Sequence, residues 1–163
     1  MEDQKMRPAR YLSLFMVTAL LFAGTACNKF VVKNVDYSHK IESVLTPDET
    51  GSVTDVRHGI SFNINPFLKQ EFGEDSSHTV DEVRLIRDSK GYYFITANDF
   101  KHVYVMEPEK SELKLENRIK VSDSGLNAPA FNMRDTMVQL IQSDSNTVVT
   151  LSAKGKIKQE EQS

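Results

Sequence analysis

Four histidines, one cysteine and a few neighbouring carboxylates are the residues of this 163-residue chain whose side chains could do chemistry. His39, His58, His78 and His102 fall in different segments, none four residues from another, so no helical turn presents two of them beside a third metal ligand. They read as surface histidines; His102, at the start of a strand, is placed to face a cleft, but no partner for it is legible. Nucleophilic catalysis finds no Gly-x-Ser-x-Gly elbow, and the serines lie mostly in turn-rich stretches. Asp81-Glu82 and Glu74-Asp75 could serve acid–base work, yet adjacent carboxylates in polar segments are ordinarily solvated charge. Phosphate-binding glycine loops are absent, and most of the 7 glycines look committed to turns. Carboxylates near Asp123 and Asp144 lack the EF-hand ligand order. The sequence thus assigns no catalytic residue, no metal site and no cofactor.

The chemistry that stands out is covalent. Lys5, Arg7 and Arg10 precede a 13-residue, mostly apolar run, Tyr11–Ala23, and small residues follow at Gly24-Thr25-Ala26. This is the three-part build of a secretory signal, and the run is shorter than the roughly 20 residues a membrane-spanning helix needs. Glu2 and Asp3 sit awkwardly in a basic leader, which leaves Met6 as an alternative start. Cys27 is the only cysteine, so in an oxidising compartment it has no intramolecular disulfide partner. Ala23-Gly24-Thr25-Ala26-Cys27 resembles the lipobox of bacterial lipoproteins, in the looser form common in Bacteroidota, with Gly24 where an aliphatic residue is usual. The resemblance implies removal of residues 1–26 as a signal helix and acylation of Cys27. Asn28, in place of the Asp that favours inner-membrane retention in enterobacterial lipoproteins, leans the expectation toward the outer membrane. The rival reading is ordinary cleavage after Ala26, leaving a free thiol.

Removing the 26 residues before Cys27 leaves 137, enough for one domain, with 17 basic against 21 acidic residues. A formal charge of −4 does not suit nucleic acid, which asks for a concentrated basic face. Without disulfides, stability must come from burying Phe, Tyr, Ile, Val and Leu.

The pattern that positions these residues is mainly β. Residues 27–52 read as a tether with a short strand at Phe30–Val35 and helical spacing of Tyr37, Ile41, Val44 and Leu45 after Asp36, ended by Pro47. A β-rich domain over 53–158 follows, then a polar tail at 159–163. Ile60, Phe62 and Ile64 alternate with polar residues, Pro66–Phe72 reads as a helical turn, and Glu71–His78 as an exposed loop. Strands are predicted at Val83–Arg87, Tyr92–Ala97, His102–Met106, Leu113–Val121, Ala130–Met133, Met137–Gln142, Thr147–Ser152 and Lys156–Lys158, separated by turn residues and therefore paired as antiparallel hairpins.

A slide of 47 residues sets Arg87-Asp88 on Arg134-Asp135, and one of 45 sets Tyr93–Met106 on Val138–Leu151. Each unit is then a meander of about 45 residues, the size of a propeller blade, and Leu126–Phe131 with the strands after it loosely resembles blades of NHL-type propellers. Three such units cannot close a ring of about four to eight blades. The expected fold is an antiparallel meander packed as a small sandwich or barrel, with an incomplete propeller-like stack as the alternative.

The expected function is a membrane-anchored, non-catalytic binding or accessory subunit of the cell envelope, with a protein partner met at sheet edges or at Tyr92, Phe100 and Tyr104, aromatics that read more readily as core than as contact. Two alternatives differ in kind. One is an envelope hydrolase or sugar-active enzyme, which would hold His102 or His58 against a carboxylate in a deep cleft. The other is an immunity or inhibitor lipoprotein with a protruding acidic loop at Glu71–Asp75. Asp135-Thr136-Met137 resembles the O-glycosylation sequon of Bacteroidota and makes Thr136 a candidate acceptor; a plain turn reads the same.

Overall fold

Apolar runs of a few residues, each closed by turn chemistry, become strands in the computed structural model, which describes residues 41–74, 77–110, 112–134, 136–142 and 147–157. Cys27 and the signal segment, His39, Asp135, Asp144 and residues 158–163 lie outside the described residues. In chain order the elements are β1 (Ser43–Leu45), β2 (Ser52–Asp55), β3 (Ile60–Asn63), helix α1 (Asn65–Phe72), β4 (Val83–Arg87), β5 (Tyr93–Ala97), β6 (His102–Glu109), β7 (Glu112–Lys120), β8 (Pro129–Arg134), β9 (Met137–Gln142), β10 (Thr147–Ser152) and β11 (Gly155–Lys156). All pairings are antiparallel, in sheets ordered β1-β4-β5-β6-β7, β11-β10-β9-β8 and β2-β3.

The five-stranded sheet is central and loses both faces to the core. Side chains alternate across a strand, so Val83, Leu85, Tyr93, Ile95 and Tyr104 pack toward the β2–β3 hairpin and α1, meeting Val53, Ile64, Phe67 and Leu68. Ile86, Phe94, Val103, Val105 and Ile119 take the other face and meet Phe131, Val138, Leu140 and Leu151 of the four-stranded sheet. Every residue of β5 is buried, which is why its sequence, Tyr93-Phe94-Ile95-Thr96-Ala97, shows no polar alternation. Thr96 is tolerated there because its hydroxyl donates to the His102 carbonyl at 3.0 Å. The result is a mainly β, antiparallel, sandwich-like meander; among the described residues no sheet closes into a barrel. The offsets of 47 and 45 residues lay β4 on β8 and β5 on β9, so the central and outer sheets each contain a four-strand meander.

Two expectations change at the front of the domain. Val44 and Leu45 are in a strand, β1, and not at the end of a helix, because pairing of Ser43–Leu45 with Val83–Leu85 outweighs a local helical spacing. That pairing also puts the start of the β-rich domain inside the stretch read as a tether, in which β2 likewise begins, at Ser52.

The strand registers sort the turns into two ends. Ile41, where the described chain begins, lies with the β2–β3, β4–β5, β6–β7, β8–β9 and β10–β11 turns at what is called here the entry end; the Arg57 guanidinium donates to the Ile41 carbonyl at 2.9 Å. The far end holds the β1–β2 turn and the links β5–β6 and β7–β8.

Three edge strands have backbone groups closed by side chains. Arg57 covers the Ile41 and Glu42 carbonyls leading into β1. Glu42 accepts the Phe131 amide of β8 at 2.7 Å while pairing with Arg84 at 3.0 Å, joining the two larger sheets. Asn117 of β7 accepts the Arg118 amide at 2.8 Å and donates to the Ala153 carbonyl at 3.0 Å.

Candidate functional site

Helix α1 forms behind Pro66 in its first turn, with the Asn65 amide capped by Asn63 Oδ1 at 2.8 Å, and stops at Gly73, whose φ of 97° suits glycine. It buries Phe67 against Tyr104, ring centroids 4.4 Å apart, and delivers Glu71 to the start of β6. The Glu71 carboxylate, 1 % exposed, accepts three hydrogen bonds: from the Lys101 amide at 2.8 Å, His102 Nδ1 at 2.9 Å and the Tyr104 hydroxyl at 2.8 Å. Burial first, and then the bond and negative charge of Glu71, push the Tyr104 hydroxyl well above the usual tyrosine range, with Arg118 opposing.

A second buried carboxylate organises the entry end. Asp55 Oδ2 accepts from Ser43 Oγ at 2.9 Å and contacts His58 Nδ1 at 2.6 Å, while Oδ1 accepts the Arg57 amide at 2.9 Å. Burial works to raise the Asp55 pKa, but bonds from His58 and Ser43, the charge of His58 and the Arg57 amide together hold it below the ordinary 3.8. Serine, histidine and aspartate thus meet, but in an order unlike that of a catalytic triad. The hydroxyl and the ring both go to the carboxylate, whereas nucleophile activation requires the hydroxyl to reach the ring.

These contacts correct the expectation of surface histidines. The His58 side chain is 3 % exposed and its ring stands edge-on to Tyr93; the His102 side chain is 17 % exposed and has the Glu71 partner the sequence did not reveal. His78 stacks on Phe72 at 3.9 Å between centroids. Neither His58 nor His102 lines one of the four clefts described for this structure; the two His–carboxylate pairs tie the β2–β3 hairpin together and α1 to β6. Glu71 is likewise no part of a protruding acidic loop. Phe100 and Tyr104 are fully buried, leaving Tyr92 as the only one of the three expected contact aromatics to reach a cleft.

The two largest of these clefts lie at opposite ends. The far-end cleft, about 370 Å³, is lined by Thr79, Asp81, Glu82, Arg84, Asn98, Asp99, Ala128 and Pro129. Two of the three non-glycine residues with positive φ among the described residues line it, Asp99 at 64° and Ala128 at 44°. Ala128 precedes a proline, where extended backbone is preferred, and Asn98 Oδ1 holds its amide at 3.0 Å. Glu82 is paired with Arg84 at 2.7 Å and Asp99 lies 3.9 Å from His78 Nε2, so Asp81, with Asp99, gives the cleft its acceptor character. The entry-end cleft, about 330 Å³, has Tyr92, Met137, Leu151 and Ile157 as apolar surface, with Lys90, Glu116, Thr136 and Lys154 around them. Glu107 chiefly, with burial, Glu116 and Asp88, raises the Tyr92 hydroxyl pKa. Thr136 is exposed in the β8–β9 turn.

Of the remaining acidic candidates, Glu74 pairs with Lys69 and Asp123 with Lys120. Among the described residues no three His, Cys, Asp or Glu side chains converge as metal ligands, and no helix is long and apolar enough to cross a membrane. No protein-family model matches the chain, and comparison with curated proteins and with solved structures gave no significant match.

Proposed function

We propose that the chain is exported and held by lipid on Cys27 at a bacterial cell-envelope membrane, the outer membrane by the residue after the cysteine, where it works by contact as a non-catalytic binding or accessory subunit. The observation that carries this reading is the series of basic leader, 13-residue apolar run and small residues ending at the sole cysteine. Anchoring raises the local concentration for any membrane-bound partner, which favours a module of modest affinity. The far-end cleft supports a contact role: it is a preformed, acceptor-rich hollow at the opposite end of the strands from Ile41, and strained residues such as Asp99 and Ala128 tend to mark ligand-facing positions. A protein partner presenting basic or amide groups fits its chemistry.

Intact mass of the membrane-extracted protein, beside Cys27→Ser, tests the anchor. The wild type is expected to begin at Cys27 with acyl mass added and to partition with membranes, and the variant to do neither. A soluble wild type with an unmodified thiol would overturn the reading.

A further inference from the structure

Each of the five turns at the entry end carries or directly follows an exposed basic residue: Arg57, Lys90, Lys110, Arg134 at the end of β8, and Lys154. They come from all three layers, and the strand registers, not proximity in sequence, collect them. Among the described residues Lys90, Lys110, Arg134 and Lys154 make no ion pair, while Arg57 spends one nitrogen on backbone carbonyls. Nearby acids offset them only in part. Asp88 is buried and accepts the Lys90 and Tyr92 amides, Glu109 is taken by Lys114 at 3.1 Å, and Glu112 and Glu116 are exposed, with Glu107 partly so. Apolar side chains stand among these cations: Val56, 88 % exposed at the β2–β3 tip, with Ile41 and Met137. The far end is richer in acids, with Asp48, Glu49, Asp81, Glu82 and Asp99 around its turns and cleft; of its lysines, Lys69 and Lys120 are committed to Glu74 and Asp123, and Lys101 is exposed.

We infer that the entry end is a face that docks on the anionic headgroups of a bilayer. Unpaired cations on separate turn tips gather around protruding apolar residues, the combination that holds a protein in the interfacial region of a membrane, and the acidic far end is repelled from the same surface. The bilayer is favoured over other polyanions by where the chain enters: Ile41 is at this end, 14 residues after Cys27, so a lipid there and these turns reach the same surface. The docked orientation turns the far-end cleft toward the aqueous side. The placement of charge stands without the acylation of Cys27, and the two are tested separately.

The full chain is mixed with phosphatidylglycerol-containing vesicles or with pure phosphatidylcholine vesicles and labelled with a water-soluble amine reagent, and each lysine is read by mass spectrometry. Lys90, Lys110 and Lys154 are expected to be protected several-fold on the anionic vesicles only, Lys69, Lys101 and Lys120 to label equally on both, and the protection to fade at 1 M salt, where screening acts within about 3 Å. The pair Lys90→Glu and Lys154→Glu should abolish protection of Lys110 without changing the Cys27 mass. Equal labelling at both ends, or equal protection on neutral vesicles, overturns the docking face whatever the mass shows. Equal protection by soluble inorganic phosphate assigns the turns to a free anion and overturns the bilayer.

Discussion

Replacing Glu71 by alanine takes the acceptor from three donors at once, and the three losses are unequal. Lys101 is exposed, so water can take up its amide, and His102 is partly open to solvent. The Tyr104 hydroxyl belongs to a fully buried residue and would be left without its acceptor, at about 1–3 kcal/mol. Loss of the charge-assisted bond from His102 adds about 1 kcal/mol, for a total near 3 kcal/mol. For a domain of this size that lowers Tm by about 10 °C. Urea unfolding of Glu71→Ala, Tyr104→Phe and the double variant measures it, with the m-value as the check that only stability has changed. Once Tyr104 is phenylalanine no hydroxyl is stranded, so the double variant is expected to cost about 1–2 kcal/mol less than the two single losses added together. A Glu71→Ala loss below about 1 kcal/mol, or strict additivity with Tyr104→Phe, would refute the idea that this carboxylate clamps α1 to the central sheet.

Two further outcomes follow from the strained cleft and the second buried carboxylate. Ala128→Gly relieves a left-handed alanine, worth about 1–2 kcal/mol, against the about 0.5–1 kcal/mol entropy cost of glycine, so a net gain of about 0.5–1 kcal/mol is expected in chemical denaturation. As pH falls, the unfolded chain takes a proton on Asp55 at the ordinary 3.8 while the folded state resists to a lower pH; stability present above about pH 4 is therefore lost as pH drops through the folded value, and Asp55→Asn is expected to flatten that part of an acid-unfolding curve.

The strands from β4 onward are legible because turn residues bracket short apolar runs, and β9 and β10 begin and end where the alternation does. β1 is not legible: it has three residues, and its partner β4 lies about 40 positions away, a pairing no local pattern encodes. The same reach hides the site. Glu71 and His102 are 31 residues apart, and nothing near either announces the other. Phe100 and Tyr104 read as core or as contact, core being favoured, and they are core because the central sheet is covered on both faces. Arg57, Lys90, Lys110, Arg134 and Lys154 were visible singly, but only the strand registers put their turns at one end.

Molecules confined to a surface meet one another far more often than in solution, and a sheet with bare edge amides becomes a template for the next copy under such crowding. In this chain Arg57, Glu42 and Asn117 occupy backbone groups at β1, β8 and β7 that a neighbouring strand would need. A copy seeking to extend either large sheet at these points must first displace an arginine, a carboxylate or an amide from an existing bond. Dense packing in two dimensions, which would favour fibrous growth of an open sheet, therefore meets a barrier at each of these edges.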